Sequence, residues 1–275
     1  MKKRVATIIL NRNLPIVTNK LYEKIKKYNH KFTDIFVIDS GSDIDKKSKY
    51  TTWDANWSSI KKKGLRFSRG MNYGLLNLYK EKKFDIYDYF LLLTNDSEVE
   101  DKLFIKKLIE IMDRNNKVAI LSPCSKNWGE KLLLKSKKLM FFWYIHNNAY
   151  FIRKDFIKKI HKKKKASYMN FLFDGNNFRG FGADSELILK AYKNNMAAAI
   201  TAEVWIEENE KYLLNKNSLI KTEPFSKNIK LYISEGLNWM KKKYKFESRW
   251  DMHLHVKKLY DDFFKKNIKL LKYKI

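Results

Sequence analysis

The chain has 275 residues, 44% of them hydrophobic and 15% aromatic, so it can bury a large core, and disordered and fibrous proteins are excluded. Its single cysteine, Cys124, excludes an internal disulfide, and no Cys or His cluster has the spacing of a structural zinc site. The formal net charge is +28, and arginine supplies eight of the 58 basic residues. Nucleic-acid-binding proteins usually use arginine heavily, whereas most basic residues of this chain are lysines. Two interpretations of the charge stay open. One is compositional drift toward AT-rich codons, and the other is an electrostatic field that attracts an anionic membrane, an acidic substrate or nucleic acid.

The apolar segments of the chain are short. The amino-terminal run at 5–10 is shorter than the core of a signal peptide, and the least polar later stretch, 139–152, is too short to span a bilayer. We therefore expect a cytoplasmic protein.

The first part of the chain alternates strand and helix patterns. A continuous apolar run at 5–10, helical spacing of apolar residues at 18–28 and a second apolar run at 34–38 predict a βαβ unit. The alternation continues with helices at 68–79, 102–115 and about 184–194, and with strands at 89–93, 118–121, 148–153 and 197–204. This order predicts an α/β fold, in which ligands bind beyond the carboxyl ends of the strands.

The pattern changes beyond about residue 210. Residues 227–275 mix lysine runs with aromatic residues and predict two or three helices. We therefore divide the chain into a main domain, 1–210, and a basic helical C-terminal extension, 211–275. The extension either packs its aromatic residues on the α/β core, with its lysines in water, or lies on an anionic membrane.

Four segments carry the polar residues suited to chemistry. They read VIDSGSD at 37–43, GLRFSRGMNYG at 64–74, FLLLTNDSEVEDKLF at 90–104 and FRGFGADSELILKAYKNNMAAAI at 178–200. In order and approximate spacing these segments resemble the family 2 glycosyltransferases, over residues 1 to about 208. The resemblance implies a GT-A (Rossmann-like) domain with a mixed, mostly parallel sheet, and an inverting enzyme that uses a nucleotide-sugar donor.

Residues after the first two predicted strands are candidates for holding the donor. Asp39 precedes a turn in which Gly41 permits close backbone approach, and its carboxylate can accept a hydrogen bond from a base imide. The resemblance implies that Asp39 binds the nucleotide base; the alternative is a carboxylate that caps the segment after the turn. Asn13, after the first strand, is assigned to the same donor site.

The segment at 64–74 is a candidate diphosphate site. Gly70 and Gly74 flank Asn72 where a loop is expected to lead into a helix, and small residues with helix N–H groups suit a phosphate. Arg66 and Arg69 are expected to add positive charge, although the family has small residues at these positions; the alternative is that both are surface charges. Asn72 and Arg69 are assigned to donor binding.

The resemblance also implies a divalent cation, Mn²⁺ or Mg²⁺, held by an Asp-X-Asp motif. The motif here reads Thr94-Asn95-Asp96, so Asp96 matches the second acid and Thr94 replaces the first. A single carboxylate, with phosphate oxygens and waters, can hold such a cation. Asp96 is therefore the predicted metal ligand, and Asp96 and Asn95 are assigned to the donor site.

Asp184 opens a predicted helix after a glycine-rich turn. The resemblance implies that Asp184 is the general base that deprotonates the acceptor hydroxyl; the alternative is a helix-capping residue. Glu186 is a secondary candidate for acceptor contact, but two residues of spacing prevent it from sharing a helix face with Asp184.

Two further candidates are weaker. Many relatives carry a metal-binding histidine where this chain has residues 205–209 without one, so Glu207 is a candidate oxygen ligand; the alternative is an exposed acidic turn. His146 is a candidate contact for the acceptor or the diphosphate; the alternative is a structural histidine.

The resemblance implies an inverting glycosyltransferase that moves a sugar from a nucleotide-diphosphate donor to a hydroxyl of a glycan or a lipid-linked acceptor, with peripheral association with an anionic membrane as an option. One alternative is a catalytically impaired relative that binds the donor, since Thr94 replaces an acid and the histidine is missing. The other is a nucleic-acid-binding protein, which the even spread of lysines and the lack of a recognition motif oppose. We expect no specific nucleic-acid partner.

Overall fold

The computed structural model describes residues 4–127, 130–144, 149–161, 166–209 and 224–275. Four parallel strands begin the sheet in the order β3-β2-β1-β4: β1 (Val5–Asn11), β2 (Thr33–Asp39), β3 (Thr51–Asp54) and β4 (Tyr89–Thr94). The helices that connect them are α1 (Pro15–Asn29), α2 (Ser58–Lys63) and α3 (Arg66–Lys80). β1 and β4 are buried along almost their whole length, as their continuous apolar runs predict for strands covered on both faces.

The rest of the main domain extends the same sheet. Its elements are β5 (Ser97–Val99), α4 (Phe104–Arg114), β6 (Val118–Cys124), α5 (Glu130–Leu134), β7 (Leu139–Phe141), β8 (Ala149–Arg153), α6 (Lys154–Ile160), α7 (Ala183–Lys193) and β9 (Ala197–Glu208). β8 lies antiparallel between β4 and β6, while β6 and β9 run in the direction of the first four strands. β5 and β7 pair antiparallel with β9. The sheet is therefore mixed and mostly parallel, as expected.

Helix α3 lies close to the sheet because two of its residues lack a side chain. A Cβ atom on Gly70 would lie 2.5 Å from the side chain of Leu10, and one on Gly74 would lie 2.6 Å from that of Ile38. Both glycines lie inside α3, which begins at Arg66. The expectation that they flank a loop leading into the helix is wrong, and close packing against β1 and β2 explains them.

The C-terminal extension contains α8 (Phe225–Tyr244), α9 (Arg249–Lys266) and a final 3-10 turn, Ile268–Tyr273. Met240, Met252, Phe263 and Phe264 are buried and belong to the same apolar core as the sheet. The interpretation in which the extension packs on the α/β core is therefore confirmed for these residues. The predicted division at residues 210 and 211 lies outside the described residues. None of the helices described is long and apolar enough to cross a bilayer.

Candidate functional site

Asn11, the last residue of β1, connects the loops that follow three parallel strands. Its Nδ2 donates to Asp39 Oδ2 at 2.9 Å, and its Oδ1 accepts from Thr18 Oγ1 at 2.7 Å and from Asn95 Nδ2 at 3.3 Å. The side chain is fully buried. Asn11 was not among the predicted site residues, and its only sequence signal is its position directly after a buried strand. It holds the candidate donor-binding loops in one arrangement.

Asp39 and Asn13 both stabilise the loop after β2. Asp39 Oδ1 accepts from the Ser42 backbone N–H at 2.8 Å, and Asp39 is fully buried. The Asn13 backbone N–H donates to Ser42 Oγ at 2.9 Å, and its side-chain amide exchanges hydrogen bonds with Asp43. Asp39 therefore has the turn-stabilising contacts of the alternative interpretation, and its contact with a nucleotide base stays a prediction.

Asp96 follows β4 in the tight turn that leads to β5. Its side chain is 9% exposed, and its Oδ1 atom is buried with no hydrogen-bond partner among the described residues. Burial raises the pKa of Asp96 above its ordinary value, and a hydrogen bond from Thr94 opposes this change only in part. A buried carboxylate with an unpartnered oxygen is costly, and a cation bound at Oδ1 would remove that cost. The site therefore fits a divalent metal ion.

In the part of the chain that the structure describes, no three His, Cys, Asp or Glu side chains converge to hold a metal ion, so Asp96 stays the predicted metal ligand. A hard cation held by Asp96 would complete its coordination with phosphate oxygens and water. The backbone N–H of Asn209 donates to Asp96 O at 2.9 Å, so the end of β9 lies beside the motif.

Glu207 lies near the end of β9 and pairs in register with Glu98 of β5. The expectation of an exposed acidic turn is wrong, because the strand pairing extends to Glu208. Ser125 Oγ and the Lys126 backbone N–H each donate to the Glu207 carboxylate at 2.6 Å. Glu207 thus anchors the loop after β6, and metal ligation by its occupied oxygens stays a prediction.

Asp184 lies in the first turn of α7, which begins at Ala183 after Gly182. The N-cap residue of this helix is Gly182, and Asp184 is its second residue. Because the Asp184 carboxylate accepts from a backbone N–H of the first turn, the capping alternative and the general-base prediction both stay open. Asp184 Oδ1 accepts from the Ser185 backbone N–H at 2.8 Å, and Oδ2 lies 3.7 Å from Arg249 Nη2. The carboxylate remains 17% exposed. It is therefore held in place and open to a substrate.

Helix α9 supplies two neighbours of Asp184 that the sequence analysis did not assign. One is Arg249; the other is His253, whose Nε2 lies 3.1 Å from Ser185 Oγ. These contacts join residues more than 60 positions apart, so no local pattern reports them. His146, the other histidine considered, lies outside the described residues.

Glu186 faces a different part of the molecule. It is 1% exposed, and its Oε1 accepts from Lys243 Nζ and Tyr244 OH, each at 2.6 Å, while Oε2 accepts from Lys190 Nζ at 3.1 Å. Burial raises the pKa of Glu186, but the charges of Lys190 and Lys243 and the hydrogen bonds outweigh it, and the pKa lies below its ordinary value. Glu186 therefore connects α8 to α7. Both of its carboxylate oxygens already accept hydrogen bonds, so neither is available for the predicted contact with the acceptor.

Two residues of α3 contact the segment before α7. Asn72 is fully buried, and its amide makes four hydrogen bonds to backbone groups of residues 168, 172 and 173. A contact with the donor would require these bonds to break, so donor binding by Asn72 stays a prediction. Arg69 Nε donates to Gly175 O at 2.7 Å, and its guanidinium lies 4.5 Å from the Phe178 ring centroid. The surface-charge alternative is therefore wrong for Arg69.

The turn before α7 lies close to the start of α3. A Cβ atom on Gly180 would lie 3.6 Å from Ser68 Oγ of α3. Burial raises the pKa of Tyr232 of α8, and the negative charges of Asp184 and Glu208 raise it further. Tyr232 is therefore within electrostatic range of both Asp184 and Glu208.

No known family model matches the sequence, and no curated protein matches it. Solved structures do match. S. aureus TarS 1-349 in complex with UDP-GlcNAc has a TM-score of 0.52 at 12% identity, covering 98% of this chain and 73% of that one. GalNAc-T7 with UDP, GalNAc and Mn²⁺ has a TM-score of 0.54 at 10% identity, covering 88% of this chain.

The chain has the GT-A glycosyltransferase fold. The predicted fold is thereby confirmed, including the mixed sheet and the C-terminal helices. The match spans 56% of the GalNAc-T7 chain. The mannosyltransferase PcManGT from Pyrobaculum calidifontis matches 73% of this chain at 12% identity and a TM-score of 0.47, and that match spans 55% of the PcManGT chain. Identity at this level describes the fold, and the activity has to be argued from the site.

Proposed function

We propose that this protein is a metal-assisted, inverting glycosyltransferase related to family 2, which moves a sugar from a nucleotide-diphosphate donor to an acceptor hydroxyl. The observation that carries the proposal is Asp96: a buried carboxylate with an unpartnered oxygen, in the Thr94-Asn95-Asp96 motif at the carboxyl end of β4. The GT-A fold supports it, since TarS was solved with UDP-GlcNAc and GalNAc-T7 with UDP, GalNAc and Mn²⁺.

Each residue of the site has a defined part in this reaction. Asp96 would hold Mn²⁺ or Mg²⁺, which when bound stabilises the negative charge that develops on the leaving nucleoside diphosphate. Asp39, Asn13 and Asn95, whose loops Asn11 connects, lie where the donor nucleotide would bind.

Asp184 takes the proton from the acceptor hydroxyl while that oxygen attacks the anomeric carbon from the face opposite the diphosphate. A single attack from that face inverts the anomeric configuration, and inversion is the outcome that the resemblance to family 2 implies. Arg249, 3.7 Å from Asp184 Oδ2, helps to fix the direction of the carboxylate. The acceptor is a glycan or a lipid-linked sugar.

A second candidate function is donor binding with little turnover. It is favoured because no three His, Cys, Asp or Glu side chains converge among the described residues and because hydrogen bonds occupy Glu207. Such a protein would bind the nucleotide-sugar and leave it intact.

The deciding experiment is a thermal-shift panel of UDP-, GDP-, dTDP- and CMP-sugars, with and without Mn²⁺. A ligand that binds only the folded state raises the melting temperature. At a concentration of one hundred times its Kd, it adds about 2.7 kcal/mol to the free energy of unfolding. We expect one nucleotide class to stabilise the protein and Mn²⁺ to strengthen the effect.

Asp96→Asn should remove the Mn²⁺ dependence, whereas the control Asp101→Asn, whose side chain is 64% exposed, should keep it. Stabilisation by none of the nucleotides at any Mn²⁺ concentration would contradict both candidate functions. Slow Mn²⁺-dependent hydrolysis of the stabilising donor separates the enzyme from the binding protein.

A further inference from the structure

A cleft of about 850 Å³ lies between α3, the segment 174–178 and α8. Its walls include Lys63, Arg69, Asn176, Phe178, Asn238 and Lys242. A volume of this size suits a ligand of several rings, since ligand pockets span roughly 300–1,000 Å³.

The acidic groups of the cleft are already neutralised. Asp174 accepts from Lys243 Nζ at 2.5 Å and from Trp239 Nε1 at 3.1 Å. Glu235 forms an ion pair with Arg179. Each carboxylate thus already has a cationic partner, and the charge of Glu235 also acts on Arg69, whereas Lys63 and Lys242 have no carboxylate partner in the described residues.

Three cations at the cleft keep an uncompensated charge. In the described parts of the chain, no carboxylate forms an ion pair with Lys63, Arg69 or Lys242. Arg69 donates from Nε to Gly175 O. Burial lowers the pKa of Arg69, and the charges of Tyr168 and Glu235 oppose this change in part. Lys63 and Lys242 are exposed to water, and cations that line a concave surface create a positive potential that raises the local concentration of anions.

The arginines of the chain are concentrated at this place. Three of them surround the Phe178 ring, with guanidinium carbons 5.5 Å (Arg66), 4.5 Å (Arg69) and 5.6 Å (Arg179) from its centroid. In a chain where arginine supplies eight of 58 basic residues, this grouping is not explained by a general excess of positive charge. Guanidinium groups bind phosphate and carboxylate through paired hydrogen bonds.

The uncharged polar groups of the cleft indicate which uncharged groups the ligand carries. The amides of Asn176 and Asn238 offer both donors and acceptors, as hydroxyl-rich rings require. Lys243 of the cleft donates to both Asp174 and Glu186, so the cleft borders the first turns of α7, the helix that carries Asp184.

We propose that this cleft binds an anionic glycan, a chain of sugar rings that carries phosphate or carboxylate groups, and that this glycan is the acceptor. The proposal rests on the proposed function, since it names the acceptor class of that reaction. Lys63, Arg69 and Lys242 bind the negative groups, and the asparagine amides bind the hydroxyls.

The test measures binding of three fluorescein-labelled hexasaccharides by fluorescence polarisation in 0.15 M salt: neutral maltohexaose, maltohexaose that carries phosphate esters, and hexagalacturonate. We expect at least one anionic form to bind about tenfold or more tightly than the neutral form. Preference for the phosphorylated sugar identifies phosphate as the recognised group, and preference for the uronate identifies carboxylate.

The matched variants carry the same loss of charge at different places. Lys63→Gln with Lys242→Gln removes two cations of the cleft and should weaken anionic binding about tenfold. Lys62→Gln with Lys230→Gln removes two exposed lysines outside the cleft and should change it less than about twofold. Equal weakening by both pairs, or equal binding of the neutral hexasaccharide, would overturn the proposal.

A competition experiment separates this proposal from the proposed function. The stabilising nucleotide-sugar should not displace the labelled glycan, and the cleft variant should keep its Mn²⁺-dependent thermal shift. Displacement by the nucleotide, with a lost shift in the cleft variant, would assign the cleft to the donor and overturn the acceptor proposal. Glycan binding without any nucleotide response would leave the cleft as an anionic-glycan site but would contradict the transferase and, with it, the assignment of the glycan as acceptor.

Discussion

Two buried carboxylates, Asp96 and Glu186, differ in their hydrogen-bond partners and in the direction of their pKa shifts. Asp96 has an oxygen without a partner among the described residues and a raised pKa, whereas Glu186 has three donors and a lowered pKa. A stable fold gains from the second arrangement and loses from the first. Groups that bear such a cost are candidates for ligand binding, which is why Asp96 carries the proposed function.

Asp184→Asn should abolish most sugar transfer and leave donor binding unchanged. Asparagine keeps the shape of the side chain but cannot accept the proton of the acceptor hydroxyl, and loss of a general base costs roughly 10²- to 10⁴-fold in kcat. The measurement pairs a transfer assay with the thermal shift given by the donor. Retained turnover in this variant would remove Asp184 from the mechanism.

Glu186→Gln should lower the free energy of unfolding at pH 7 by about 1–3 kcal/mol, because Lys190 and Lys243 each lose a charged hydrogen-bond acceptor, although Lys243 keeps its ion pair with Asp174. The pKa of Glu186 is lowered on folding, so its contribution is present above its ordinary pKa and disappears as the pH falls below it. Urea unfolding at several pH values measures this difference.

The expected gap between native protein and variant is therefore largest near pH 7 and shrinks on acidification. Glu247→Gln is the control, since its ion pair with Lys241 is exposed and should contribute little at either pH. A gap that stayed constant down to pH 3 would contradict the charge-based explanation.

At the scale of elements, glycines determine how closely the loops and helices of the site approach one another. Gly41 has a φ of 71°, and a Cβ atom there would lie 2.5 Å from the backbone oxygen of Ile60 in α2. Gly182 has a φ of 79°, and a Cβ atom there would lie 2.1 Å from Met240 Cε of α8. A side chain at position 41 would push α2 away from the loop after β2, whereas one at position 182 would displace the Met240 side chain.

Gly41→Ala should destabilise the fold by about 1–3 kcal/mol, from the strained backbone together with the clash. Gly180→Ala is the matched control, because Gly180 has a φ of 86° but its nearest neighbour would be 3.6 Å from the new Cβ atom. Chemical denaturation of both variants separates strain from the clash. Equal losses would show that the contact with Ile60 is unimportant.

At the scale of the molecule, the C-terminal helices complete the core and also form one wall of the cleft. Phe263 and Phe264 pack against Phe141 of β7, and Met240 covers Gly182 at the start of α7. Removing residues 224–275 would expose apolar surface on the sheet and remove Lys243 and Tyr244, two of the three hydrogen-bond donors to Glu186.

The truncated protein should therefore bind a dye specific for exposed apolar surface and unfold at a lower urea concentration than the full chain. Trp250→Ala is the control, since this residue belongs to the same extension but is 60% exposed and should change stability little. A truncated protein as stable as the full chain would show that the extension is a separate unit.

Local sequence patterns determined the order of the main elements. Continuous apolar runs predicted β1, β2, β4 and β6, and the polar residues after them predicted which edge of the sheet carries Asp39 and Asp96. The short strands β3, β5 and β7 were not predicted, because three or four residues are too few to show a period.

Only the tertiary structure decided how the site residues are used. The sequence singled out Asp96, Asp184 and Glu186 as acids beside turns, but it could not show which of them is paired, because Lys243 and Arg249 come from helices that lie 57 to 65 positions further along the chain. The cleft likewise joins Lys63 of α2 to Lys242 of α8. Periodicity and turn chemistry act over a few residues, whereas burial and charge pairing depend on which segments the fold brings together, and these contacts separate a structural carboxylate from one free to bind a ligand.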